Sequence, residues 1–335
     1  MAAAGDKKFG EKMRADQSDG PTARPIPMPN RGTAPPARTA MTGFGSNPGA
    51  LTGWRVIPAK ATGPESAIAP VPLVVVLHGC TQNAADIDNG AGWSTLAAEA
   101  GFALLLVEQT RSNNPNLCFN WFQTGDAQRE GGEVESIRQM VAALVADGTA
   151  DPAQLFVTGL SAGGAITASL LATAPEVFAG GAIIAGVAHG IAGSMSEGLE
   201  RMRGRGLPDA ATIAARARDA FFHAGPWPRL SVWHGSADSS VAPVNAEAIL
   251  AGWANLCGLA APSGATLING HQRRVWRDAH GVEQIEAHVI AGMGHGLPMT
   301  SIGPEACGTP GSYFLECGLS STRRIAAFWG IAPRV

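Results

Sequence analysis

The chain has 335 residues, of which 45% are hydrophobic and 15% charged, a composition typical of a protein that folds around a hydrophobic core. Its 24 basic and 27 acidic side chains give a formal net charge of −3, so it has no polycationic surface and we expect no nucleic-acid partner. No apolar run reaches the length that crosses a bilayer, and we expect no membrane partner.

The first 48 residues differ in composition from the rest. Seven of the 23 prolines lie within the first 50 residues, and this part has no sustained hydrophobic periodicity. We predict that residues 1–48 form a disordered or extended arm and that residues 49–335 form one globular domain. The amino terminus lacks the apolar segment of a secretory signal, which favours a cytoplasmic location.

Strand-like and helical segments alternate along the rest of the chain. The predicted strands cover residues 73–77, 103–107, 155–158, 182–185, 230–233 and 287–290, and the predicted helices cover 94–100, 133–145, 245–256 and 322–329. This alternation predicts an α/β fold with a mostly parallel central sheet, helices on both faces and functional side chains at the carboxyl ends of the strands. The polar, helical residues 188–226 lie between two predicted strands and are predicted to be a small helical cap insertion.

The segment Gly159-Leu160-Ser161-Ala162-Gly163 follows a predicted strand and opens onto a run of small residues. A G-x-S-x-G turn between strand and helix holds its serine in a strained conformation and projects the hydroxyl from the top of a sheet. Ser161 is therefore a candidate nucleophile. The alternative is a glycine- and serine-rich turn before a packed helix.

A serine in such a turn needs a base and an orienting acid, which follow it along the chain in the order Asp or Glu, then His. Asp238 comes after the predicted strand 230–233, and His295 lies in a glycine-rich loop after the predicted strand 287–290. The alternatives are that Asp238 forms a turn and that His295 is structural. We interpret His78 and His234, each followed by glycine, as residues that set backbone turns.

An oxyanion hole for this chemistry uses one amide after the nucleophile and one from an earlier strand–helix loop. The amide of Ala162 is the first candidate. Cys80, which follows the strand 73–77, is the second, with Thr81 in reserve. A nucleophilic role for the Cys80 thiol is disfavoured because serine occupies the turn.

Several separated motifs together resemble the polyhydroxybutyrate (PHB) depolymerase family of esterases in the α/β-hydrolase superfamily, which is related to feruloyl and acetylxylan esterases. These motifs are Leu77-His78-Gly79-Cys80-Thr81-Gln82, the segment 114–122, Gly159-Leu160-Ser161-Ala162-Gly163-Gly164, and the loops that carry Asp238 and His295. The resemblance covers about residues 42–330. It implies an α/β-hydrolase fold and serine ester hydrolysis by Ser161, Asp238 and His295, without a cofactor or metal.

The resemblance also implies a substrate class, a small-molecule or oligomeric ester. Short-chain 3-hydroxybutyrate esters or oligomers are expected, with feruloyl or acetylxylan esters as the alternative. A serine peptidase, a thioesterase and a non-catalytic binding protein on the same fold are less favoured. Secreted members carry an export signal, so the family and the amino terminus point to different compartments. The sequence leaves the compartment and the oligomeric state open.

Two further features concern the loops around Ser161. The chain has five cysteines, so at least one lacks an intramolecular partner, and Cys80 and Cys118 lie on loops after neighbouring strands. These two are candidates for a disulfide that would brace the oxyanion loop. Trp121 and Phe122 on the second of these loops are candidate substrate-binding residues, with packing in the core as the alternative for Trp121.

Overall fold

A computed structural model of the chain describes residues 36–58 and 69–334. Most of the predicted arm, residues 1–35, lies outside the described residues. The last part of that predicted arm lies against the domain, because Thr39 and Ala40 pair with Arg55 and Trp54 as an edge strand.

The described chain contains strands and helices at the following positions. The strands are β1 (Thr39–Ala40), β2 (Thr52–Val56), β3 (Val71–Leu77), β4 (Ala103–Glu108), β5 (Ala150–Leu160), β6 (Gly180–Ile184), β7 (Arg229–Gly235), β8 (Ala265–Ile268), β9 (His271–Arg277), β10 (Glu283–Ile290), β11 (Leu297–Met299) and β12 (Phe314–Glu316). The helices are α1 (Ala84–Ala91), α2 (Trp93–Ala100), α3 (Thr124–Ala127), α4 (Gly132–Ala146), α5 (Ala162–Thr173), α6 (Met195–Met202), α7 (Ala210–Ala220), α8 (Val244–Cys257) and α9 (Ser321–Trp329). All six predicted strands and all four predicted helices are present, with ends shifted by a few residues.

Ten strands form one sheet in the order β1-β2-β4-β3-β5-β6-β7-β10-β9-β8. The six central strands, from β4 to β10, pair in parallel. The strands outside them pair antiparallel on both sides. The predicted parallel sheet is therefore confirmed at its centre, where helical crossovers connect the strands, and the edges are antiparallel.

The hydrophobic core has two layers, one on each face of the sheet. Along β3, Leu73, Val75 and Leu77 belong to one buried cluster while Val74 and Val76 belong to the other, as the two-residue repeat of a strand requires. Helices α4, α5, α7 and α8 cover the first face, and α1, α2 and α9 cover the second. Both faces are buried, which is typical of a parallel sheet with helical crossovers.

The segment 188–226 contains α6 and α7. Helix α7 packs on α8, and α6 lies against the loop that contains Trp121. That this segment acts as a cap remains a prediction. Within residues 36–58 and 69–334, no helix is long and apolar enough to cross a membrane.

Candidate active site

Ser161 lies in the turn between β5 and α5, at φ 57° and ψ −115°. This conformation is strained for a residue with a side chain and places the serine at the carboxyl end of a central strand. The glycines on either side allow close backbone contact: a Cβ on Gly163 would lie 2.6 Å from the carbonyl oxygen of His78, and one on Gly159 would overlap the backbone of Gly163.

The three predicted catalytic residues form one hydrogen-bonded line. His295 Nε2 lies 2.9 Å from Ser161 Oγ, and His295 Nδ1 lies 2.7 Å from Asp238 Oδ2. A carboxylate only accepts hydrogen bonds, so Nδ1 carries the proton and Nε2 is free to accept from the serine hydroxyl. The parallel strands β5, β7 and β10 bring these residues together, because the carboxyl ends of the three strands lie at the same edge of the sheet.

Asp238 is buried and fully hydrogen-bonded. Its Oδ1 accepts from the backbone amides of Ser240 and Val241, both at 2.9 Å. Burial favours the neutral acid, but hydrogen bonds from His234 and His295 outweigh it and hold the pKa of Asp238 well below its usual range. The aspartate is therefore a charged group that orients the imidazole.

His234 lies beside the candidate acid. Its Nε2 lies 2.8 Å from the carbonyl oxygen of Val241 and 3.3 Å from Asp238 Oδ2. His234 is predicted from the sequence to set a turn in a His-Gly pair, and that prediction does not include its contact with Asp238. The spacing of four residues between His234 and Asp238 was the available signal.

The loop after β3 contains Cys80, one of the two candidate oxyanion donors. A Cβ on Gly79 would lie 3.5 Å from the Cβ of Ser161, so this loop adjoins the serine directly. Ala162 is the first residue of α5, where a backbone N–H has no partner within the helix and forms part of the positive end of the helix dipole. Within the described residues, the amides of Cys80 and Ala162 donate to no protein atom.

The reserve candidate is less suited to this role. The amide of Thr81 donates to the carbonyl oxygen of Asn116 at 2.7 Å and is not available to a substrate. This engagement leaves Cys80 as the candidate in this loop.

Cys80 and Cys118 are joined by a disulfide. This bond removes the thiol and with it the alternative of a cysteine nucleophile. Cys257, Cys307 and Cys317 are free. The disulfide ties the oxyanion loop to the loop that contains Trp121, so the two loops hold their positions together.

A buried carboxyl group supports both of these loops. Glu133 is fully buried at the start of α4, where it accepts from the Asn120 amide at 2.8 Å and from Gln109 Nε2 at 2.5 Å. Gln109 also donates from Nε2 to Cys118 O at 3.0 Å and from its backbone to His78 Nε2 at 3.0 Å. Burial raises the pKa of Glu133 to about 8. From the sequence, Glu133 is predicted only as the first residue of a helix.

Trp121 and Phe122 are largely buried, each with 9% of its surface exposed, and their rings meet edge to face at 5.6 Å. Helix α6 closes over them, because a Cβ on Gly198 would lie 3.1 Å from the Trp121 ring. Part of the role of Trp121 is therefore core packing. Contact of either ring with substrate remains a prediction.

A parallel sheet with a serine at a strand–helix turn, hydrogen-bonded to a histidine and then an aspartate, is the arrangement of an α/β-hydrolase enzyme. Comparison with known proteins gives the family. The sequence model of the family described as Esterase PHB depolymerase matches residues 58–276, and the chain belongs to this family. It is a carboxylic ester hydrolase.

The chain is similar to two curated proteins with different names. The chain is 38% identical to poly(3-hydroxyalkanoate) depolymerase C of Paucimonas lemoignei over 312 residues, which cover 92% of this chain and 74% of the relative. It is 26% identical to feruloyl esterase B of Talaromyces funiculosus over 271 residues, which cover 78% of this chain and 73% of the relative.

The fold is also similar to a solved structure. The acetyl xylan esterase from Aspergillus awamori superposes with a TM-score of 0.72 at 22% identity, covering 88% of this chain and all of that one. This similarity confirms the predicted α/β-hydrolase fold.

Proposed function

We propose that the chain cleaves esters through an acyl-enzyme on Ser161, and that its substrates are short-chain 3-hydroxybutyrate esters or oligomers. The observation that carries the mechanism is the hydrogen-bonded line from Ser161 through His295 to Asp238, at 2.9 and 2.7 Å. A serine hydroxyl alone is a weak nucleophile at neutral pH, and an adjacent oriented imidazole activates it.

In the first half of the reaction, Ser161 Oγ attacks the ester carbonyl while His295 Nε2 takes its proton. The charged Asp238 stabilises the imidazolium that forms. The negative charge that develops on the carbonyl oxygen is stabilised by the amides of Cys80 and Ala162. The tetrahedral intermediate then collapses, His295 gives its proton to the departing alcohol oxygen, and the acyl group remains on Ser161.

In the second half, water takes the place of the alcohol. His295 removes a proton from this water as it attacks the acyl carbon, and the same two amides again face the developing charge. Collapse of the second intermediate releases the carboxylic acid and returns the proton to Ser161. Both halves use the same base, the same orienting acid and the same two amides of the chain.

The substrate class is supported by the comparison with relatives. The poly(3-hydroxyalkanoate) depolymerase shares more identity with the chain, over more of its length, than the feruloyl esterase does. The aromatic loop with Trp121 and Phe122 suits small apolar acyl groups, and apolar contacts discriminate by about 1 to 3 kcal/mol per methylene, so we expect graded specificity.

A substrate panel tests this proposal. We expect kcat/KM for a 3-hydroxybutyrate trimer to exceed that for methyl ferulate by at least about tenfold, which corresponds to about 1.4 kcal/mol of transition-state binding. The reverse preference would favour a feruloyl esterase, and a preference for acetylated xylan oligosaccharides would favour an acetylxylan esterase. Ser161→Ala, measured on each substrate, controls for hydrolysis by contaminants.

A further inference from the structure

An open cleft of about 900 Å³ lies beside His295. Its walls come from the loop and helix 81–90 and from the loop 309–314, two parts of the chain that meet only in the fold. The side chains that line it besides His295 include Thr81, Gln82, Asp86, Asn89, Ser312 and Tyr313. None of these residues belongs to the hydrogen-bonded line described above.

The position of the cleft relates it to one part of the substrate. In an acyl transfer of the kind proposed above, His295 takes the proton of Ser161 and must then deliver it to the oxygen of the departing alcohol. The alcohol portion of the ester therefore lies next to the imidazole during this step. A cleft that includes His295 in its wall provides the space for that portion.

Tyr313 forms a wall of the cleft against the imidazole. It is the single tyrosine of the chain, its ring lies 6.2 Å from that of His295 in an edge-on arrangement, and 41% of its surface is exposed. Its φ of 67° is strained for a bulky residue, and its carbonyl oxygen accepts from the amide of Leu297 at 2.7 Å. The fold thus holds an exposed aromatic ring beside the candidate base at a conformational cost.

The described side chains that line the cleft include an acidic residue and no lysine or arginine. The hydroxyl and amide side chains are neutral, and Asp86 is an exposed carboxylate. Arg38 contacts Asn89 at 3.3 Å, but it also pairs at 2.8 Å with the buried Asp88, which compensates its charge. Asp86 accepts a hydrogen bond from the backbone amide of Asn83 at 3.2 Å in the first turn of α1, but it pairs with no basic side chain among the described residues. An anionic group in this cleft would therefore meet the negative charge of Asp86.

We propose that this cleft binds the alcohol portion of the ester and that Asp86 selects alcohols without a negative charge near the scissile oxygen. The inference rests on the proposed acyl-serine mechanism. For a hydroxyalkanoate chain, it predicts cleavage where the departing unit is itself esterified, and slower cleavage where that unit ends in a free carboxylate.

The test uses two substrates with the same acyl group, 3-butyryloxybutyrate and its methyl ester. Their alcohols differ only in the carboxylate, which is free in one and methylated in the other. The measured quantity is the ratio of two values of kcat/KM for release of butyrate, that of the methyl ester divided by that of the free acid. We expect Asp86→Asn to lower this ratio roughly three- to tenfold, from two unit charges about 6 Å apart at an effective dielectric constant of about 40 to 80. Added salt should lower the wild-type ratio in the same direction.

A matched variant controls for the change in net charge. Asp151 is partly exposed and lies at the amino end of β5, roughly 30 Å along the strand from the active-site edge. Asp151→Asn removes the same charge and should leave the ratio at the wild-type value. An equal ratio in wild type and Asp86→Asn would overturn the charge selection, as would an equal decrease in both variants.

Tyr313→Ala tests the location of the alcohol. We expect it to lower kcat/KM for the methyl 3-butyryloxybutyrate substrate at least about threefold more than for methyl butyrate, whose alcohol is too small to reach along the cleft. An equal effect on both substrates would contradict the assignment of the cleft. Because all these substrates carry a butyryl group, the outcome does not depend on the hydroxyacyl preference, and loss of all hydrolysis in Ser161→Ala separately tests the acyl-serine mechanism.

Discussion

Gly163→Ala tests how closely the turn around Ser161 is packed against the oxyanion loop. A Cβ at this position would lie 2.6 Å from His78 O and still closer to Leu77 O, two backbone oxygens that cannot rotate away. Ordinary van der Waals contact of a Cβ begins at about 3.4 Å, so helix α5 and the end of β3 must separate by roughly 0.8 to 1.0 Å. Ala162 is the first residue of α5 and Cys80 follows β3, so this displacement changes the distance between the two candidate oxyanion donors.

The expected effect is larger on activity than on stability. Overpacking of this size costs about 1 to 3 kcal/mol, and the better helix propensity of alanine returns about 1 kcal/mol. The net loss in unfolding free energy is therefore about 0 to 2 kcal/mol. A displacement approaching 1 Å between catalytic groups costs up to about a hundredfold in rate, so we expect kcat/KM to fall about 10- to 100-fold.

The assay combines urea unfolding with kcat/KM for p-nitrophenyl butyrate. Gly164→Ala is the matched control in the same helix, because its Cβ would lie 3.0 Å from Gly159 O and 3.1 Å from Ile184 O, which small shifts can accommodate. We expect less than about a threefold loss for this variant. A kcat/KM within twofold of wild type in Gly163→Ala would refute the close packing of this turn against the oxyanion loop.

Three further predictions follow from the site. His295→Ala should reduce kcat about a million-fold and Asp238→Asn about ten-thousand-fold, because the aspartate orients the base; unchanged kinetics in the second variant would point to another carboxylate. Reduction of the Cys80–Cys118 disulfide should cost about 2 to 4 kcal/mol of unfolding free energy and lower kcat/KM, and an effect on neither would contradict the bracing role. Burial raises the pKa of Glu133 to about 8, so the folded chain keeps a proton that the unfolded chain releases above about pH 4.3. The contribution of Glu133 to the free energy of unfolding therefore falls as the pH rises between these two values. In Glu133→Gln, the free energy of unfolding in urea should depend less on pH between about pH 5 and 8.

The central strands and the hydrogen-bonded line could be predicted because their signals are local in the sequence. Buried strands such as β3 and β5 read as short apolar runs, and the turn around Ser161 has a pattern of its own. Asp238 and His295 each follow a strand of the same parallel sheet, so the shared edge of the sheet brings them together.

Other features depend on contacts that a local pattern does not contain. Glu133 resembles any acidic residue in the first turn of a helix, and only the packing of the loop at Asn120 shows that it is buried. The cleft beside His295 forms between two loops more than two hundred residues apart. The hairpin of β8 and β9 was a missed signal, since Asn269 and Gly270 both have positive φ and form the two-residue turn that an Asn-Gly pair favours.

The most direct test of the central claim is to trap the covalent intermediate. The protein is treated with a fluorophosphonate probe, digested and examined by mass spectrometry, with hydrolysis of p-nitrophenyl butyrate followed in parallel. The account predicts one adduct per chain on Ser161, loss of activity in proportion to labelling, and no adduct in Ser161→Ala. Full labelling of another residue, or hydrolysis at the wild-type rate by Ser161→Ala, would contradict it.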